Sequence, residues 1–230
     1  MPQAHGLVST AHPKYKLLEG LSPRDQELVI SAATIRRFAA NTIVTRQGTP
    51  ADRVYLLLSG CVRFFYTSPD GRKFLLIWVA PGEFFGGVAL MAKPGSYFMS
   101  CETVKESKVL VWDRAKFRGF IEKFPQIMEN ALTAAGEYVA WYMTAHVALS
   151  CHTARERLAR VLLGLARGIG EKVSGGIEID VTNEDLANAA NITPYTASRL
   201  MSEWQKNRTL VKRRGKVLLR SPERLILRTV

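Results

Sequence analysis

The sequence predicts an α+β chain in three parts: an N-terminal antiparallel β-roll of jelly-roll type, one long helix, and a C-terminal winged helix-turn-helix. Three observations carry that prediction. Between Thr34 and Asp113, short runs rich in β-branched and aromatic residues alternate with turn signals and no helical pattern intervenes. From Met128 to Leu149, apolar residues keep a seven-residue repeat. From Val181 to Lys216, two capped helical segments precede a basic hairpin.

In chain order, a helical pattern opens between Tyr15 and Ala33, with Leu21-Ser22-Pro23 as its start signal and Leu28, Val29 and Ala32 as its buried face. The runs TIRRF, TIVTRQ, RVYLLLSG, CVRFFYTS, KFLLIWVA, YFMSCETV and KVLVWD then read as strands of an antiparallel barrel or jelly roll. Ser68-Pro69-Asp70-Gly71 is the clearest hairpin turn among them. Asp113 is placed to cap a helix ending near Phe124-Pro125, and a long helix follows over 125–150. Its residues Met128, Leu132, Ala135, Val139, Tyr142, His146 and Leu149 fall at spacings of 4, 3, 4, 3, 4 and 3, the seam of two paired helices. A further helix over 153–167 buries Leu158, Val161, Leu162 and Leu165, and the Gly-rich stretch 168–176 reads as a loop. The expected domains are 1–124 for the β-roll, 125–150 for the long helix and 151–230 for the winged helix.

Thr182 and Asp185 form a box-like cap for the first helix of the C-terminal pair, and Leu186, Ala189 and Ala190 share its apolar face. Asn191 stands where the chain needs a residue that tolerates positive φ, and Thr193-Pro194 starts the second helix. In that helix Ala197, Leu200, Met201 and Trp204 point inward, leaving Tyr195, Thr196, Ser198, Arg199 and Ser202 outward. Two helices joined by so short a turn, the second polar and basic outside, fit the DNA major groove. Residues 209–219 make a two-stranded wing whose Arg213, Arg214 and Lys216 suit backbone phosphates. The DNA-contact candidates are therefore Thr182, Thr193, Tyr195, Thr196, Ser198, Arg199, Ser202, Lys206, Arg213, Arg214 and Lys216.

Charge agrees with a nucleic-acid partner. The chain carries a formal net charge of +12, and from Thr196 to Val230 ten basic residues face two acidic ones, a local excess of +8. No apolar run reaches the length of a membrane span, and the first residues lack a secretion-signal pattern. Cys61, Cys101 and Cys151 match neither a metal knuckle nor a disulfide framework, so they read as small hydrophobes in a reducing cytoplasm. A cupin-type metalloenzyme needs histidines inside the barrel, whereas His5, His12, His146 and His152 all lie outside it.

Together these features resemble the cyclic-AMP receptor/FNR (Crp/Fnr) superfamily of bacterial transcription regulators. The resemblance runs from about Leu17 to the end of the chain. It rests on Gly48 and Gly60 framing DRVYLLLSG, on the turn Pro81-Gly82-Glu83-Phe84-Phe85-Gly86, and on TNEDLANAANITPYTASRLMSEWQKNRTL. It implies a cyclic-nucleotide-binding-like roll, a homodimer gripping a near-palindromic operator in double-stranded DNA, RNA polymerase as a further partner, and no enzymatic activity. It also implies where this chain departs. The ribose-binding Glu of cyclic-nucleotide binders falls on Gly87, and the phosphate-binding Arg-Ser pair falls on Tyr97-Phe98, which removes the bidentate clamp and argues against cyclic AMP. Three dispersed cysteines argue against a four-thiolate iron–sulfur cluster.

What remains at that place is apolar and aromatic: Trp78, Phe84, Phe85, Gly86, Gly87, Val88, Leu90, Met91, Tyr97 and Phe98, with Tyr138, Trp141 and Tyr142 from the long helix. Such a set suits an unidentified flat hydrophobic effector. Haem is an open alternative, with His146 or the N-terminal Pro2, His5 and His12 as axial ligands by resemblance, and effector-independent DNA binding is another. In the recognition helix, Ser198-Arg199 matches the family's Ser-Arg pair, while Tyr195 stands at the position of its Glu. Arg199 keeps the geometry to bind a guanine edge bidentately, and Tyr195 cannot accept from cytosine N4 as a carboxylate would.

Overall fold

The structure is a computed structural model that describes residues 15–91, 93 and 95–225. The predicted β-roll, long helix and winged helix-turn-helix are all present. By contacts the chain divides into two compact units, residues 15–72 with 79–142 and residues 73–78 with 143–225, so the division falls within the long helix.

Helix α1 (Pro23–Ser31) starts as its sequence dictates: Ser22 is the N-cap, its Oγ accepts from the Asp25 N–H at 3.2 Å, and Pro23 is the first helical residue. Only Val29 of this helix is buried, and Leu28, expected inside, is exposed. Leu17 and Leu18, in a short 3₁₀ turn before it, fill that place in the core. Strands β1 (Thr34–Phe38), β2 (Ile43–Thr45), β3 (Arg53–Ser59), β4 (Val62–Thr67), β5 (Lys73–Val79), β6 (Phe84–Phe85), β7 (Ser100–Thr103) and β8 (Ser107–Asp113) form two antiparallel sheets. Their orders are β1-β8-β3-β6 and β2-β7-β4-β5. The crossing of consecutive strands between sheets makes a roll rather than a meander. At the turn between β3 and β4, Gly60 has φ +95°, and a Cβ there would lie 2.2 Å from the Ser107 Oγ. Glycine is the residue that both the backbone and the neighbour permit. The Ser68 N–H donates to the Arg72 carbonyl at 3.0 Å, closing the predicted hairpin.

The roll's core holds Leu56, Leu57, Leu110, Trp112 and Phe117, with Trp112 Nε1 donating to the Val29 carbonyl at 2.8 Å. Asp113 is the N-cap of α2 (Arg114–Lys123) by position alone; its carboxylate makes no cap hydrogen bond and lies 3.7 Å from Arg53 Nε. Helix α3 (Gln126–Cys151) follows. Its Ile127, Ala131, Ala134 and Tyr138 pack against the roll core, and Asn130 Nδ2 donates to the Leu17 and Glu19 carbonyls at 3.1 and 2.8 Å. No helix among the described residues is long and apolar enough to cross a membrane.

In the second unit, α4 (Ala154–Gly168) begins with a full capping box between Thr153 and Glu156. The stretch expected to be a loop instead forms a hairpin, β9 (Glu171–Val173) and β10 (Gly176–Asp180), across a two-residue turn. Gly175 and Gly176 both have positive φ there, at +92° and +149°. Helices α5 (Asn183–Ala189) and α6 (Pro194–Lys206) follow, then β11 (Leu210–Arg213) and β12 (Lys216–Leu219). The wing is thus half of a four-stranded sheet, ordered β11-β12-β10-β9, rather than an isolated pair. Leu158, Leu162, Ile179, Leu186, Leu200 and Trp204 form its core. Ala187 takes the buried place expected of Ala189, which is only half-buried.

Candidate nucleic-acid interface

The capping box at α5 holds its N-terminus as the sequence implies. Thr182 Oγ1 accepts from the Asp185 N–H at 3.1 Å, and Asp185 Oδ2 accepts from the Thr182 N–H and hydroxyl at 3.2 and 2.8 Å. Asn191 takes φ +50° in the turn, and Thr193 Oγ1 accepts from the Thr196 N–H at 3.1 Å. The two threonine hydroxyls lie 2.9 Å apart. Thr182, Thr193 and Thr196 therefore use their hydroxyls on helix ends.

On α6, Ala197, Leu200, Met201 and Trp204 are buried. Tyr195, Arg199, Ser202 and Lys206 are exposed and Ser198 is half-buried. Tyr195 is 78 % exposed. Tyr195 and Arg199, four residues apart, share one helical face. This face offers one guanidinium, one phenol and small hydroxyls, the size and chemistry of a major-groove reading surface.

Two residues that the sequence reading passed over fix this helix. Arg155 Nη1 donates to Glu203 Oε1 at 2.5 Å, and its guanidinium lies 5.3 Å from the centre of the Trp204 ring. Arg157 donates to three carbonyls: Ala190 at 2.9 Å, Asn191 at 3.3 Å and His152 at 2.8 Å. One guanidinium thereby joins the end of α3 to the turn between α5 and α6. Nothing local in TARER signals this, because the acceptors lie 33 and 34 residues away or at a helix end.

The wing holds its predicted cations differently from expectation. Arg213 and Lys216 pair across the turn Arg214-Gly215, and both reach Glu178 on β10. Arg214 is exposed and makes no ion pair among the described residues.

The aromatic set predicted for an effector pocket does not assemble as one cavity lining. Phe84, Phe85, Leu90 and Tyr97 are buried in the roll core, where Phe85 stacks on Tyr55 at 4.8 Å and meets Phe64 edge-on at 5.8 Å. Gly86 has φ +81°, and a Cβ there would lie 2.6 Å from the Arg53 carbonyl oxygen; Gly87 and the half-buried Val88 continue that turn. Tyr97 turns inward: its hydroxyl donates to the Arg53 carbonyl at 3.0 Å and accepts from the Arg53 N–H at 3.2 Å. Phe98, its neighbour, is 65 % exposed, and Met91 and Trp141 are exposed as well. Tyr138 packs on the roll core, and Tyr142 meets Trp141 edge-on at 5.0 Å. Trp78 clusters with the other unit and packs against that unit's core. The physical reason is that Tyr97 and Phe98 precede β7, where the Arg53 backbone holds the Tyr97 hydroxyl inward and leaves Phe98 outside, together with tight aromatic packing that consumes Phe84 and Phe85.

Of the residues the resemblance offers to haem, Pro2, His5 and His12 lie outside the described residues. His146 is exposed and belongs to a different unit from Phe84, Phe85 and Tyr97. Among the described residues, no group of three or more His, Cys, Asp or Glu could hold a metal ion. Cys61 and Cys101 are buried as expected, whereas Cys151, the last residue of α3, is exposed.

On α3 the exposed large apolar side chains are Leu132, Val139, Trp141, Met143, Val147 and Leu149, with Leu132 64 % exposed. Of the predicted seam, Leu132, Ala135, Val139, His146 and Leu149 are exposed, but Met128 packs on the roll core and Tyr142 is half-buried. The stripe is rotated toward Met143 because the helix is apolar on both sides. Its inner side is already taken by the roll.

Residues 35–124 match the cyclic nucleotide-binding domain family, and residues 156–228 match the Crp-like helix-turn-helix domain family. The chain is 28 % identical over 194 residues to a CRP-like cAMP-activated global transcriptional regulator of Mycobacterium tuberculosis, covering 83 % of this chain and 86 % of that protein. It is 26 % identical over 204 residues to an anaerobic regulatory protein of Bacillus subtilis, covering 84 % and 82 % of the two. The fold matches FixK2 of Bradyrhizobium japonicum with a TM-score of 0.72 at 23 % identity, over 84 % of this chain and 95 % of that one. It also matches the c-di-GMP-responsive regulator CLP of Xanthomonas campestris with a TM-score of 0.74 at 20 % identity, over 86 % and 99 %. A roll of the cyclic-nucleotide-binding kind joined by one long helix to a Crp-like helix-turn-helix makes this chain a member of the Crp/Fnr superfamily of DNA-binding transcription regulators.

Proposed function

We propose that this protein is a homodimeric, sequence-specific regulator of transcription whose two recognition helices enter successive major grooves of a near-palindromic operator. The carrying observation is the outward face of α6, where Tyr195 and Arg199 stand exposed above a rigidly capped and packed helix. Arg199 reads a guanine through O6 and N7, and Tyr195 sits beside it in place of a carboxylate. RNA polymerase is the further partner that the family resemblance implies.

The test is selection of binding sites from randomised duplex DNA with the purified protein. The expected outcome is a two-fold symmetric site with an invariant guanine in each half. Arg199→Ala lowers affinity for that site by about 1–3 kcal/mol, roughly tenfold to a hundredfold, and erases the guanine preference. Unchanged selection by the variant sinks the assignment.

Cyclic AMP is not the effector in this reading. Tyr97 stands where an arginine would clamp the phosphate, and its hydroxyl is committed to the Arg53 backbone. A regulator that works without a small-molecule effector is the second reading, favoured by the burial of Phe84, Phe85 and Tyr97 in a filled core. Native mass spectrometry separates it from control by a hydrophobic effector, since a co-purified organic ligand on the dimer would restore the latter.

A further inference from the structure

The wing carries four cations in sequence, Lys212, Arg213, Arg214 and Lys216, but two of them are already engaged. Lys216 Nζ lies 2.6 Å from Glu178 Oε1 and 3.3 Å from Asp180 Oδ1. Arg213 Nη1 lies 3.3 Å from Glu178 Oε2, so the two oxygens of one carboxylate hold two cations. The register explains why. Asp180 is the cross-strand partner of Lys216, and Lys216 is in turn the partner of Arg213 across the turn. Glu178 sits two residues from Asp180, on the same face of β10. Its side chain is 16 % exposed, beneath the cations rather than beside them. The hydrogen bond that Lys216 donates to Glu178 also raises the Lys216 pKa.

We propose that Glu178 and Asp180 cancel the charge of Arg213 and Lys216 and thereby hold down the sequence-independent, salt-dependent part of the protein's affinity for DNA. This rests on the DNA-binding reading given above. Two positive and two negative groups sum to zero beside the turn of the wing, and the exposed Arg214 is left to meet the phosphate backbone. Phosphate contacts add affinity for every sequence alike, whereas base contacts from α6 add it for one. Withholding two cations therefore weakens binding to arbitrary DNA and leaves the reading face untouched. Arg213 and Lys216 become positioning residues of the hairpin, and Glu178 becomes a brake on phosphate binding.

The experiment measures the dependence of binding on salt, using the full-length protein with its selected operator and with a scrambled duplex of equal length. Each phosphate contact contributes a slope of about −0.9 in log K against log salt concentration. Arg214→Gln is expected to flatten the slope by about 0.9 per wing, and Lys216→Gln to leave it nearly unchanged. Glu178→Gln and Asp180→Asn, made singly, are expected to steepen it and to raise affinity for the scrambled duplex and the operator by a similar factor. Circular dichroism melting of each variant reports whether the hairpin is intact, and two independent acid variants guard against one failing to fold. A Lys216→Gln slope reduced as much as that of Arg214→Gln overturns the proposal, as does an unchanged slope in both acid variants. If the wild-type protein holds neither duplex, the DNA reading itself falls, an outcome distinct from either of these.

Discussion

Tyr97 shows how much one substitution changes when its side chain is large, polar and buried. Its hydroxyl is held by the backbone N–H and C=O of Arg53, and Tyr55 lies alongside it. Burial pushes both phenols above their ordinary pKa, and the contact with Tyr97 adds to the rise at Tyr55. A raised folded-state pKa means that folding favours the neutral phenol. That contribution is complete below the unfolded tyrosine value of about 10 and is lost as pH climbs above it toward the folded values. The urea midpoint of the protein should therefore stay level from pH 7 to 9 and fall beyond about pH 10, with a shallower alkaline fall in Tyr97→Phe. A midpoint that rises on the alkaline side would contradict this account. The sequence places Tyr97 beside Phe98 without saying which turns inward. That choice depends on β3, more than forty residues upstream. Thr182, Asp185 and Asn191 were legible because capping and positive φ are settled within a few residues.

Among the elements, α4 is the one whose role exceeds its hydrophobic pattern. Its buried Leu158, Leu162 and Leu165 follow the helical period and could be read directly. Arg157, on the same helix, spends its guanidinium on three main-chain carbonyls, two of them in the turn of the helix-turn-helix. Hydrogen bonds from a charged donor are worth about 1.5–3 kcal/mol each in favourable cases. Arg157→Ala is expected to lower stability by about 2 kcal/mol in urea unfolding. Arg157→Lys should recover only part of the loss, because an ammonium cannot span a forked set of acceptors. Full recovery by lysine would assign the effect to charge alone. The hairpin β9–β10 escaped the sequence reading for the opposite reason. The residues of β9 are all exposed, so the strand leaves no apolar alternation, and the glycines that flank it read as loop. Strand β6, two residues long, is too short to carry any period.

For the whole molecule, the long helix decides the assembly. Its sequence is apolar on two sides, and periodicity alone could not tell which side the roll would claim. The roll takes Ile127, Ala134 and Tyr138, leaving Leu132, Val139 and Met143 facing outward. In the proposed dimer these form the pairing ridge. Val139→Glu combined with Met143→Glu should convert the dimer to monomer in sedimentation velocity and abolish binding to a two-half-site operator, while each half keeps its fold. Dimer mass with both glutamates in place would place the contact elsewhere. Midway along that ridge stands Gly136, and nothing lies within 4 Å of where its side chain would begin. A glycine inside a helix forfeits about 1 kcal/mol relative to alanine, and its own chain gains no room from it. In the proposed dimer that bare spot would give a twin helix a notch in which main chain can nearly touch main chain, and would fix where along their lengths the two copies cross.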